Sequence, residues 1–135
     1  MNQKSNEQQT LDGMPTRVLL VEYTKDITDM LELILGAEGF IVQSVENGEK
    51  ANGVAAAFKP HAALVDIGLP DINGYEVARR LRQQNPAILL IAYSGWVKEE
   101  NLQLSQEAGF DHHLVKPAEI EEIISLLQTA SRATS

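Results

Sequence analysis

The chain has 135 residues, 44% of them hydrophobic, with no cysteine and a formal net charge of -8. That length holds one compact domain with its own core, and the missing thiols exclude cysteine nucleophiles, disulfide frameworks and cysteine-ligated zinc or iron–sulfur sites. The acidic balance repels phosphate backbones and anionic lipid, so no direct nucleic-acid binding and no membrane association are expected; with no signal-like or membrane-spanning apolar run, the expected location is the cytoplasm.

Residues 1–16 are polar and rich in Gln and Asn, which predicts a disordered tail. From Arg17 onward, short apolar runs alternate with helical patterns. "RVLLVE", "FIVQSV", "AALVD", "AILLIAYS" and "HHLVK" predict strands. Between the first two, Ile27, Met30, Leu31, Ile34 and Leu35 form a helical stripe, with Gly36 and Gly39 helping to end it. A weaker, alanine-rich helix spans about 49–58 and is closed by Pro60; a third follows "PDING" and buries Tyr75, Val77, Ala78 and Leu81. In the fourth helix Leu102 and Leu104 cannot share a face. Leu104 aligns with Ala108 at i+4, so Leu104 is expected to face the sheet and Leu102 the solvent. The fifth carries Ile120, Ile123, Ile124 and Leu127, and a polar tail over 130–135 follows a domain predicted at 17–129.

Five strand–helix pairs in this length predict parallel strands with right-handed helical crossovers, a doubly wound α/β sheet with helices on both faces. Ligands of such sheets sit beyond the carboxyl ends of the strands. Those ends hold Glu22 and Tyr23, Asp66, Ser94 and Lys116. Singly each reads as a cap, a turn residue or a solvated group. Together, a carboxylate, a hydroxyl and an amine at one sheet edge point to phosphoryl chemistry.

"VLLVE", "LVDIGLPDINGYEVARRLR", "IAYSG" and "GFDHHLVKP" together make the stretch from about Arg17 to Thr129 resemble the receiver domain of two-component response regulators. The resemblance implies a flavodoxin-like fold of strand order 2-1-3-4-5 with five helices. It also implies roles. Asp66 would be the phosphoacceptor, taking a phosphoryl group from a bacterial sensor histidine kinase or a phosphotransfer protein; Lys116, beside Pro117, would pair with the phosphoryl oxygens, and Ser94 would close on them, with small Gly95 leaving room. Glu22, Asp66 and the backbone carbonyl of Gly68 would hold Mg²⁺. The signal would leave through helix four, strand five and helix five to an output partner the sequence does not name. Such a protein is not an enzyme beyond assisting its own phosphorylation and dephosphorylation.

Two positions depart from the family pattern. Tyr23 stands where a second metal-binding acid is expected, which removes a charge and an oxygen ligand and should weaken Mg²⁺ affinity. Either the site works with Glu22 reaching in and Tyr23 pointing outward, or the chain is a degenerate pseudo-receiver, a binding module independent of phosphorylation. His113 takes the place of a switch Tyr or Phe; it could make the same inward turn and add pH sensitivity, or be an ordinary edge-strand histidine. His112 and His113, adjacent on a strand, face opposite sides and cannot share a metal. Trp96, after Ser94, would report movement there. A flavin carrier is disfavoured because "EYTKD" offers no glycine to a phosphate loop, and a haloacid-dehalogenase phosphatase because Gly68 replaces its second acid.

Overall fold

A computed structural model describes residues 15–69, 71–95 and 99–130. Pro70 and Trp96 lie outside these residues, as does most of both expected tails.

The elements alternate in chain order: β1 (Arg17–Val21), α1 (Lys25–Ala37), β2 (Ile41–Val45), α2 (Gly48–Phe58), β3 (Ala62–Asp66), α3 (Gly74–Gln84), β4 (Leu89–Ser94), α4 (Glu99–Ala108), β5 (His112–Val115) and α5 (Ile120–Gln128). All strand pairs are parallel, and the sheet order is β2-β1-β3-β4-β5. This is the flavodoxin-like arrangement that the resemblance implied.

The strands read as nearly unbroken apolar runs because both faces of the sheet are covered. Alternate side chains go to opposite layers. On β1, Leu19 and Val21 join Ala51, Ala55, Val77, Leu81 and Phe110 beneath α2 and α3, while Val18 and Leu20 join Leu31, Leu35, Ile123 and Leu127 beneath α1 and α5. Asn47 and Asn73 cap α2 and α3 by accepting the backbone N–H of Lys50 and Glu76, both at 3.0 Å. At the far end of α1, Gly39 adopts φ 101°, and the N–H of Phe40 reaches back to the Leu35 carbonyl at 3.1 Å.

The strands match expectation to within two residues, but several helix faces are rotated from it. Met30 is 48% exposed and Thr28 is buried instead. With about 100° per residue, Ile27, Thr28, Leu31, Ile34 and Leu35 span one arc centred on Leu31, and Met30 falls outside it. Gly36 lies inside α1, so Gly39 alone ends the helix. Helix α2 starts one residue earlier than predicted, at Gly48. In α4 the expected inward Leu104 is 42% exposed, as Leu102 is at 39%; Ser105 and Ala108 face the sheet. Thr16 and Ala130, assigned to the tails, are buried, and the Thr16 carbonyl accepts the Ile41 N–H.

Candidate functional site

Parallel registry brings the informative residues to one edge. Asp66, the last residue of β3, lies beside Tyr93 of β4, and Ser94 pairs with Val115 of β5. Glu22 leaves β1 and donates its N–H to the Val45 carbonyl, while Lys116 leaves β5 and donates its own to the Ser94 carbonyl. Four neighbouring strands thus deliver two carboxylates, a hydroxyl and an amine within reach of one another.

The Lys116 ammonium is the centre of this set. Its Nζ donates to Glu22 Oε1 at 3.0 Å and Asp66 Oδ2 at 3.3 Å, and sits 5.0 Å from the centroid of the Tyr93 ring. Burial by itself would lower the lysine pKa, but the hydrogen bond to Glu22 and the charges of Glu22 and Asp66 outweigh it and raise the pKa above the ordinary 10.5. The remaining carboxylate oxygens are oriented by backbone: Glu22 Oε2 accepts the Thr24 N–H and Asp66 Oδ1 accepts the Gly68 N–H, each at 3.0 Å. Glu22 is only 4% exposed, so its side chain turns into the site, whereas Tyr23 is 62% exposed and turns outward.

Asp66, Gly68, Tyr75, Ser94, Gly95 and His113 line one cleft of about 250 Å³. The floor under Asp66 is set by Gly74, the first residue of α3. A Cβ there would meet the Ile67 Cα at 2.6 Å and the Asp66 carbonyl oxygen at 2.8 Å, so only glycine lets α3 start so close to the end of β3. The Lys116–Pro117 peptide bond is cis.

His113 is no bystander on an edge strand. Its Nε2 lies 2.9 Å from Ser94 Oγ, and its Nδ1 lies 2.9 Å from Ser105 Oγ on α4. Burial lowers its pKa below the ordinary 6.5. His112 is exposed on the other side of the strand. His61 accepts the Arg17 N–H through Nδ1 and serves the fold.

Three contributors were not visible in the sequence reading: Tyr93 beneath the ammonium, Tyr75 in the cleft wall, and Ser105. The signal for Ser105 is faint, since a serine at helical spacing from Ala108 reads as surface until its partner is known. Asp71, in "PDING", also has a task, accepting the N–H groups of Gly48 and Glu49 at 2.9 and 2.8 Å and tying the β3–α3 loop to the start of α2.

Among the described residues no group of three or more His, Cys, Asp or Glu side chains is placed to hold a metal ion. Glu22 and Asp66 nevertheless converge on one ammonium. Two carboxylates that meet at one cation supply oxygen donors of the kind a hard divalent cation takes.

Comparison with known proteins agrees with this geometry. Residues 18–128 match the family model for the response regulator receiver domain. The transcriptional regulatory protein CreB of Escherichia coli is 33% identical over 115 residues, which is 85% of this chain and 50% of CreB. The probable transcriptional regulatory protein TcrX of Mycobacterium tuberculosis is 29% identical over 123 residues, 91% of this chain and 53% of TcrX. The chain therefore spans about half the length of these curated relatives. Among solved structures, a CheY-like receiver domain protein from Methanospirillum hungatei superposes with a TM-score of 0.78 at 28% identity, covering 85% of this chain and 95% of that one. The BeF3-activated N-terminal receiver domain of Klebsiella pneumoniae RstA gives 0.81 at 25% identity, covering 87% and 99%.

Proposed function

This chain belongs to the response regulator receiver domain family of two-component systems, and we propose that Asp66 is its phosphoacceptor. Receiver domains are signalling modules rather than enzymes, and several relatives are named transcriptional regulatory proteins; we infer a histidine kinase upstream and an output partner downstream. One observation carries the reading: a strand-end carboxylate, 12% exposed in its side chain, faces a cleft with Lys116 Nζ at 3.3 Å.

In the proposed reaction an Asp66 carboxylate oxygen attacks the phosphorus of a phosphohistidine on a kinase or phosphotransfer protein. The P–N bond breaks, a P–O bond forms, and the product is an acyl phosphate. Lys116 then follows the charge from the carboxylate to the phosphoryl oxygens. Ser94 turns its hydroxyl toward the same oxygens, with Gly95 leaving space. Glu22, Asp66 and the Gly68 carbonyl would hold Mg²⁺, which when bound neutralises charge on the phosphoryl oxygens. The other residues orient: the Gly68 N–H fixes Asp66, and the Thr24 N–H fixes Glu22. The family membership supports a bacterial cytoplasmic location in this reading. No described helix is long and apolar enough to cross a membrane.

The output surface in this reading is α4, β5 and α5, supported by exposed Leu102, Leu104 and Val115 on two of those elements. A second reading, a pseudo-receiver that binds partners without phosphorylation, is favoured by residue type alone, since Tyr23 supplies no acid; its outward turn, with Glu22 buried, is the arrangement expected of a working site. Intact-protein mass after incubation with acetyl phosphate and Mg²⁺ separates the two. A gain of one phosphoryl group, absent in Asp66→Asn, supports the phosphoacceptor. No gain, with the cognate kinase as well, leaves the pseudo-receiver.

A further inference from the structure

We infer that Ser105 is a positioning residue that pins the His113 imidazole between α4 and Ser94, so that engagement of Ser94 by a phosphoryl group is recorded on α4 as the choice of imidazole tautomer. The inference rests on the reading of Ser94 as the hydroxyl that turns to the phosphoryl oxygens.

The proton inventory leads to it. Both ring nitrogens are engaged, Nε2 with Ser94 Oγ and Nδ1 with Ser105 Oγ, each at 2.9 Å. A neutral imidazole has one N–H and one bare nitrogen, so one serine must donate to the ring while the other accepts from it. An imidazolium would make both serines acceptors, and burial opposes that form. Two arrangements therefore remain. In one, Ser94 donates to Nε2 and Nδ1–H donates to Ser105. In the other, Nε2–H donates to Ser94 and Ser105 donates to Nδ1. A hydroxyl has a single proton. Once Ser94 commits it to a phosphoryl oxygen it can only accept from the ring, and only the second arrangement keeps both serines bonded.

Ser105 is well placed to hold the other end. It is 2% exposed, and its carbonyl accepts the Phe110 N–H at 3.0 Å while Gln106 accepts that of Gly109 at 3.1 Å, the paired bonds that close a helix on a left-handed glycine. A side chain in that last turn is fixed to the end of α4. Among the described residues the charged and titratable groups at this cleft are Asp66 of β3 and Tyr75 of α3; Lys116 of the β5 end is turned to Glu22 and Asp66. A Tyr or Phe at position 113 has no ring nitrogen and could not carry this relay.

The test is ring-nitrogen NMR of the full chain at neutral pH, with His61, whose Nδ1 accepts the Arg17 N–H, as a fixed-tautomer reference. Beryllofluoride with Mg²⁺ serves as the phosphoryl probe. The expected result is a neutral, Nδ1–H His113 in the resting protein, with beryllofluoride driving it to the Nε2–H form; a resting Nε2–H form overturns the inference. Ser105→Ala should lose the separation between the two ring-nitrogen shifts, and Ser105→Thr, which keeps the hydroxyl, should retain it. A charged His113 in the resting protein overturns the inference. So do shifts unchanged in Ser105→Ala, a Nδ1–H form with beryllofluoride bound, or, should Ser105→Ala not fold, a Ser105→Thr that loses the separation. Failure of beryllofluoride to bind counts against the phosphoacceptor instead, and the resting spectra of the variants still judge Ser105.

Discussion

At Lys116 one ammonium faces two carboxylates, Glu22 at 3.0 Å and Asp66 at 3.3 Å, with little solvent around Glu22. Removing the amine leaves that buried charge uncompensated, a loss of about 3 kcal/mol for a well-buried partner. Lys116→Met should therefore lower the urea midpoint, and the gap should narrow in acid as the carboxylates protonate. The alkaline side has the opposite origin. The folded-state pKa lies above 10.5, so the lysine's contribution is whole below 10.5 and is lost as pH climbs through the raised value. Wild type should lose stability in that window more steeply than Lys116→Met; parallel slopes would mean the ion pair contributes nothing. Tyr23 makes a second prediction. Tyr23→Asp adds a carboxylate beside Glu22 and should tighten Mg²⁺ on the order of tenfold, or about 1.4 kcal/mol, by calorimetric titration. An unchanged affinity would show that the tyrosine is not a handicap. Both residues were legible in the sequence because each ends an apolar run. Ser105 was not, because its role depends on a histidine that only the fold brings beside it.

Among the elements, α3 is the one whose position the site depends on most directly. Its first residue, Gly74, touches the backbone at the end of β3, where a Cβ would meet Ile67 Cα at 2.6 Å. Backbone cannot step aside as a flexible side chain can, and overpacking of this kind costs roughly 1–3 kcal/mol. Gly74→Ala should lower stability by that amount in denaturant titration and also slow phosphoryl uptake, since Asp66 rides on the displaced turn. Lost stability with an uptake rate equal to wild type would show that α3 does not set the carboxylate. Strand positions were readable because a run buried on both faces is apolar at every residue. Helix faces were less so. In α1 a stripe that included Met30 fitted the spacing, but the arc against the sheet centres on Leu31 and takes in Thr28, whose hydroxyl is satisfied by the Lys25 carbonyl at 2.9 Å. In α4 Ser105 and Ala108 face the sheet instead of Leu104, and Ser105 Oγ meets His113 Nδ1 there at 2.9 Å.

Across the whole molecule, strand order is what periodicity could not supply: alternating strands and helices specify a parallel sheet, not which strand lies at the centre. The order came from the resemblance and is present in the structure. It places β1, β3 and β4 inside, paired on both edges, and leaves β2 and β5 as rims. Stability should follow that layout. Amide exchange should be slowest in β1, β3 and β4, where residues such as Val18, Leu19, Val65, Leu90 and Ile91 are fully buried, and faster in β5 and α4, which present exposed Val115, Leu102 and Leu104. Under the proposed function, phosphorylation of Asp66 would add about -1.5 to -2 charge at one end of the sheet and would draw Lys116 and Ser94 toward it. Both residues bear on β5, and Ser94 connects through His113 to α4, whereas among the described residues β2 and α2 reach the site through the Glu22 backbone, the Asp71 tie and the cleft they share with Glu22 and Tyr23, on the side away from Ser94. Exchange measured by mass spectrometry before and after acetyl phosphate should therefore change in α4 and β5 and stay constant in β2. A change centred on β2 and α2 would mean that the signal travels through the Asp71 loop, and the α4–β5–α5 face would lose its claim as the output surface.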